Sequence, residues 1–164
     1  MKNLLLLATI CCCVMIVCPC FGQEAIPEGY TTEPPKRTSI NVGVLMGGGG
    51  LIGADLEFLV SKQVGLQLGA GLGSMGFGVN YHFKPNIRSS FVSIQYLHQG
   101  FGDNHYASYL GPMFTFRARK IFQFGIGFGT ILSTGPGWER AWRGKDEPST
   151  SVALLYNIGM YFPL

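Results

Sequence analysis

The chain has 164 residues, of which 24 are Gly and only 13% are charged, with a formal net charge of +3. Soluble globular domains run at about 25% charged and about 7% Gly. A chain of this size has room for one core, which argues against a two-domain enzyme, and so weak a positive charge supplies no basic face for nucleic acid.

Residues 1–22 read as a secretory signal peptide. Lys2 precedes an apolar run from Leu4 to Val17, and Pro19-Cys20-Phe21-Gly22 closes it, so that cleavage would leave Gln23 first. The run is shorter than the roughly 20 residues a membrane-spanning helix needs. Acylation of Cys18 or Cys20 is the competing reading, although the residues before them, Ile16-Val17 and Cys18-Pro19, are not the small ones that lipidation sites favour. All five cysteines, Cys11, Cys12, Cys13, Cys18 and Cys20, fall in this segment. The exported chain therefore has no disulfide, cysteine-held metal or thiol nucleophile. Residues 23–37, with Pro27, Pro34 and Pro35 and no apolar period, read as a flexible tail.

From Thr38 the texture becomes a two-residue alternation of apolar with Gly or polar residues. Eight runs follow it. The first sets Ile40, Val42, Val44 and Met46 on one face, and the second Ile52, Ala54, Leu56, Phe58 and Val60. The third gives Val64, Leu66, Leu68, Ala70 and Leu72; the fourth gives Met75, Phe77, Val79, Tyr81 and Phe83, with Asn80 and His82 on the other parity. Then come Val92, Ile94 and Tyr96; Leu110, Phe114 and Phe116; Phe122, Phe124, Ile126, Phe128 and Leu132; and finally Val152 through Leu164 in steps of two. Runs of this length joined by short turns predict an all-β, eight-stranded antiparallel up-and-down barrel, in which closure removes the exposed edges.

The composition of the second face decides which side looks outward. It holds Gly, Gln, Asn and Ser with few charges, a set suited to a crowded interior rather than to bulk water. The apolar face then points out, and a transmembrane β-barrel is the expectation for residues 38–164. Strand parity also gathers Phe58, Tyr81, Phe83, Phe114, Phe116, Phe122, Phe124 and Phe162 at one rim, as an aromatic girdle. The turns there carry Lys62, Lys84, Arg88, Arg119 and Lys120, while the longest connection, Ser133 to Thr150, falls at the opposite rim. Of the connections at that opposite rim, the Gly47 to Gly50 turn reads as a short one.

On these features the chain resembles the small eight-stranded outer-membrane barrels of Gram-negative bacteria, the outer-membrane-protein-A-like and X-like group, over residues 38–164. The final strand, Tyr156 to Leu164, looks like the C-terminal signal read by the barrel-assembly machinery, with Leu164 in place of the usual last Phe. The resemblance implies an outer-membrane location, outer-membrane lipid or lipopolysaccharide as surroundings, no cofactor, and a structural or surface-interaction role with a filled lumen and no open pore.

Candidate chemistry is sparse. Gly71-Leu72-Gly73-Ser74-Met75-Gly76 matches a dinucleotide fingerprint, but a strand and not a helix follows it. These glycines, with Gly125, Gly127 and Gly129, read instead as inward positions that make room for bulky neighbours such as Tyr109 and Tyr161. Asp55, Glu57 and Arg117 share the inward parity and predict an interior salt-bridge network in preference to acid/base catalysis. None of His82, His98 and His105 has a serine two residues on, as lipid A deacylases do, and there is no Asp-Ser pair as in the palmitoyl-transferring barrels. Ser108 lies near His105 without an acid to complete a triad, and the histidines lack metal-ligand spacing. A lipid-modifying enzyme without a recognised motif and a soluble barrel carrying an apolar ligand stand as alternatives. Trp138, Glu139, Arg140, Trp142 and Arg143 form a candidate surface-interaction cluster in the long loop, because Trp and Arg favour binding hot spots and Arg pairs well with phosphate.

Overall fold

The computed structural model describes residues 36–101, 104–118, 120–137 and 152–164. The signal segment, most of the tail, Arg119 and the Trp138 to Arg143 cluster lie outside them. Eight strands follow in order: β1 (Thr38–Val44), β2 (Ile52–Leu59), β3 (Val64–Gly71), β4 (Ser74–His82), β5 (Phe91–Phe101), β6 (His105–Arg117), β7 (Phe122–Thr134) and β8 (Val152–Pro163). Each pairs antiparallel with the next, and β8 pairs with β1, so the sheet closes on itself. Just before β1, the Arg37 carbonyl accepts from Leu59 N–H at 2.7 Å.

Alternation along the strands separates two faces. Side chains such as Ile52, Leu68, Phe77, Ile94, Ile126 and Leu154 point outward and stay exposed, whereas Asn41, Glu57, Asn80 and His82 are fully buried. The barrel is thus apolar outside and polar inside. The eight predicted aromatics stand at the end where β1 begins, which we call the lower rim; Phe58 and Phe114 are half-buried there and the other six exposed. The Phe83 and Phe114 rings lie 6.1 Å apart, and Lys62, Lys84, Arg88 and Lys120 are exposed in the turns beside them.

The upper end departs from the sequence reading. β1 stops at Val44, and Met46, expected outward, turns inside and is buried. The β1–β2 connection is not an outer turn but a plug folded into the lumen: Gly47 and Gly48 are buried with it. Gly47, Gly48 and Gly49 all have positive φ (66°, 84° and 89°), a backbone that glycine adopts without steric cost. Three side chains hold the plug. Ser74 Oγ donates to Gly47 O at 2.7 Å, Gln99 Nε2 donates to Gly49 O at 2.9 Å, and Gly47 N–H donates to Asp55 Oδ1 at 3.1 Å.

This plug explains much of the interior glycine. A Cβ at Gly53 would overlap the Met46 carbonyl, one at Gly69 would overlap the Asp55 carboxylate and press on Gly47, and one at Gly76 would press on Gly48. Gly129 makes room for Tyr109, as the sequence suggests, but the space around Tyr161 is filled by Arg117. In an open lumen Gly76→Val would favour the strand, since Val has the higher β propensity. With the plug in place it should instead cost about 1–3 kcal/mol through overpacking. Denaturant unfolding of that variant, with proteolysis at the Leu45–Leu51 segment, checks the sign.

Candidate functional site

The densest polar cluster lies in the lower half of the lumen and is built by register. Glu57 on β2 stands opposite Ser39 on β1 and Gln67 on β3, and Arg117 on β6 stands opposite Gln123 on β7. In a closed ring of eight, β2 and β6 are four strands apart in either direction, so their side chains can meet only across the lumen. They do meet: Arg117 Nη2 donates to Glu57 Oε2 at 2.6 Å, with both side chains fully buried.

Around that bond the lower lumen is densely hydrogen-bonded, although Asn41 Nδ2 and Asn80 Oδ1 find no partner among the described residues. Glu57 Oε1 accepts from Asn80 Nδ2 and lies 2.9 Å from His82 Nε2. Its Oε2 lies 3.3 Å from Ser39 Oγ. These four neighbours match the roughly four lone-pair sites of a carboxylate. Arg117 also donates from Nε to Gln123 Oε1 at 3.0 Å, from Nη2 to Asn41 Oδ1 at 3.0 Å, and from Nη1 to the Ile87 carbonyl. Its guanidinium sits over the rings of Phe91 (4.9 Å) and Tyr161 (4.8 Å). Ile87, in the β4–β5 connection, is itself wholly buried, so this loop packs into the lower end of the barrel.

Of the three residues predicted to form the network, Glu57 and Arg117 pair, whereas Asp55 does not join them. Two residues along β2 it keeps the same inward parity but sits about 7 Å higher along the strand, where the plug's Gly47 N–H becomes its donor. His82, read as an isolated polar residue, is a full member: Nδ1 donates to Ser89 O at 3.2 Å while Nε2 faces Glu57. Its inward parity with Asn80 was visible in the sequence, but its partner needed the β2–β3–β4 register. Among the described residues no group of three His, Cys, Asp or Glu side chains could hold a metal ion.

Above the network lies an apolar layer of Leu97, Ala107, Tyr109, Met113 and Leu155. Outside the barrel, near the upper rim, a second cluster forms across β5 and β6. His98 Nδ1 lies 2.8 Å from Ser108 Oγ, Tyr96 OH donates to the same oxygen at 3.3 Å, and the Tyr106 ring stacks on His98 at 5.4 Å. Ser108 therefore partners His98, its cross-strand neighbour, and not the nearby His105. Ser108 and Tyr109 follow each other along β6 and are both buried, which single-strand parity could not have shown. No described carboxylate bonds to His98.

Comparison with protein-family models, with curated proteins and with solved structures finds no match.

The energetics of the Glu57–Arg117 pair give a sharp test. Glu57→Ala strands the guanidinium in the interior and should cost about 3–5 kcal/mol. The double variant Glu57→Gln with Arg117→Met removes both charges and should recover a large part of that loss, because a buried pair contributes little over well-packed neutral groups. Unfolding midpoints of wild type, the Glu57→Ala variant and the double variant, in one medium, read both effects.

Proposed function

We propose that the chain is an integral outer-membrane barrel of the kind found in Gram-negative bacteria, with a filled lumen and no open pore. It acts through its rim loops, the Ser133 to Thr150 connection above all, or through the surrounding lipid and lipopolysaccharide. One observation carries this reading: the outward face is a continuous apolar belt while the charged and amide side chains are inside. Contiguous exposed apolar surface on this scale is rare on soluble monomers. In hydrocarbon it is the required pattern, because a closed barrel satisfies every strand backbone group internally.

Three further features support it. Strands of 7 to 13 residues bracket the roughly 9–11 that a tilted membrane strand needs. The aromatic girdle, with Lys and Arg just beyond it, suits an interfacial rim. An eight-stranded barrel has an interior just wide enough for its own side chains, and here the plug, the apolar layer and the Glu57–Arg117 layer occupy it. A soluble carrier of an apolar ligand would need the faces exchanged, and the polar lumen weighs against that alternative.

The His98–Ser108 contact favours a second reading, a lipid-modifying enzyme. The pair has a nucleophile and base within hydrogen-bond reach, on the outer face where the apolar belt gives way to polar residues. It lacks a described third group to orient the imidazole, and Ser108 is buried. A fluorophosphonate probe applied to the folded protein should label Ser108 under this second reading and leave it unlabelled under the first, as mass spectrometry of the adduct would record.

A charge placed on the outer belt distinguishes membrane from water. Phe77 and its cross-strand partner Leu68 lie midway along β4 and β3. Phe77→Arg should destabilise the barrel in bilayers by about 2–4 kcal/mol, as for an outward charge near the bilayer midplane. On a solvated surface the same change stays within about 0.5 kcal/mol. Denaturant titration in liposomes reads the difference.

A further inference from the structure

Beside the plug, above the lower ion-pair layer, the lumen holds a partly open chamber of about 200 Å3. That is far more than the roughly 10–15 Å3 that admits one water. The backbone of Gly47 to Gly49 lines it from the plug, Asp55, Gln95 and Asn157 line it from the strands, and Leu97, Met113 and Leu155 add an apolar part.

Three features of its lining point to the same ligand chemistry. First, Asp55 is buried and its donors are neutral, the Gly47 N–H and the Gln67 amide. Arg117 makes its ion pair with Glu57, and no described cation lies within ion-pair distance of Asp55. A buried carboxylate is normally paired. Second, Asn157 is 94% buried and its Oδ1 has no hydrogen-bond partner, because Nδ2 is turned toward Met113 Sδ at 3.3 Å. Buried acceptors of this kind are uncommon, and of the three unpartnered amide atoms in the described lumen this one belongs to a residue that lines the chamber. Third, Gln95 also lines the chamber, and no hydrogen bond of its side-chain amide is seen among the described residues. The result is a pocket with one carboxyl group, an unpartnered amide oxygen, a second amide and an apolar side.

We propose that this chamber binds a small monocation, either an inorganic ion keeping part of its hydration shell or a short primary alkylammonium. Its charge is set against Asp55 and its donors against Asn157 Oδ1 and Gln95. The apolar side formed by Leu97, Met113 and Leu155 would receive an alkyl stem, and part of a hydration shell would fill the same space around an inorganic ion. The inference rests on the lumen alone and holds whether the outer belt meets lipid or not.

The test is the thermal unfolding midpoint of the full mature chain, in chloride salts of equal ionic strength. Sodium, potassium, ammonium and methylammonium are compared with N-methylglucamine, which is too bulky for the chamber. A cation at ten times its dissociation constant multiplies the folding equilibrium constant by about 11, so the midpoint should rise by a few degrees in at least one small-cation salt. Asp55→Asn, which keeps an acceptor for Gly47 N–H, should abolish the rise, and Asn157→Leu should reduce it. The salt that stabilises most identifies the occupant as inorganic or organic. A wild-type midpoint equal in all salts would overturn the proposal, as would the same salt dependence in Asp55→Asn. Should that variant not fold, Asn157→Leu and Gln95→Leu decide, and an undiminished salt effect in both would overturn it. A protein that stays soluble without detergent would defeat the membrane reading, and the same titration in plain buffer would still judge this one.

Discussion

The bond between Glu57 and Arg117 crosses the lumen between strands on opposite walls, and much of the lower half of the barrel is arranged around it. Eight strands leave an interior just wide enough for side chains, so one long guanidinium can reach a carboxylate on the far side. Two charges taken out of water must each find partners. Ser39, Asn41, Asn80, His82 and Gln123 supply them, and the Phe91 and Tyr161 faces pack against the cation. Such a pair adds little net stability compared with a well-packed apolar core. Its effect is to fix which walls face each other.

The upper lumen is occupied differently, by backbone rather than by charge. The plug from Leu45 to Leu51 needs small neighbours, and the strands provide them at Gly53, Gly69, Gly71 and Gly76. The high glycine content of the chain is therefore partly a packing requirement of one loop. That loop in turn supplies a backbone donor to Asp55, and so separates the fates of two carboxylates that are neighbours on one strand face: Glu57 neutralised by a cation, Asp55 held by neutral donors at the wall of a chamber.

Much of the fold was legible in the sequence because strand parity is a strong local signal. A period of two over eight runs fixes the element count, and the polar character of the second face fixes which side is inside. Antiparallel neighbours joined by short turns then leave little freedom in topology. What could not be read were contacts that depend on register or on loops. The Glu57–Arg117 pair was visible as shared inward parity, but parity could not separate Asp55 from Glu57, because it says nothing of height along the barrel axis. His82 showed the same inward parity without revealing its carboxylate. The plug was misread because Met46 continues the apolar alternation of β1 and a four-glycine turn carries no sign of where it folds. Ser108 was matched to His105, near it in sequence, when the pairing of β5 with β6 places it beside His98.

The central claim is that the apolar face of this barrel meets hydrocarbon. The most direct measurement is magnetisation transfer between lipid and protein, by NMR on the folded chain in phospholipid bicelles. Cross-peaks from acyl-chain methylenes should reach the methyl groups of Leu68, Ile94, Ile126 and Ile158, which point outward on four strands. None should reach the side-chain amides of Asn41, Asn80 or Gln123 inside. Water cross-peaks at those outward methyls, with no acyl-chain contact, would contradict the account.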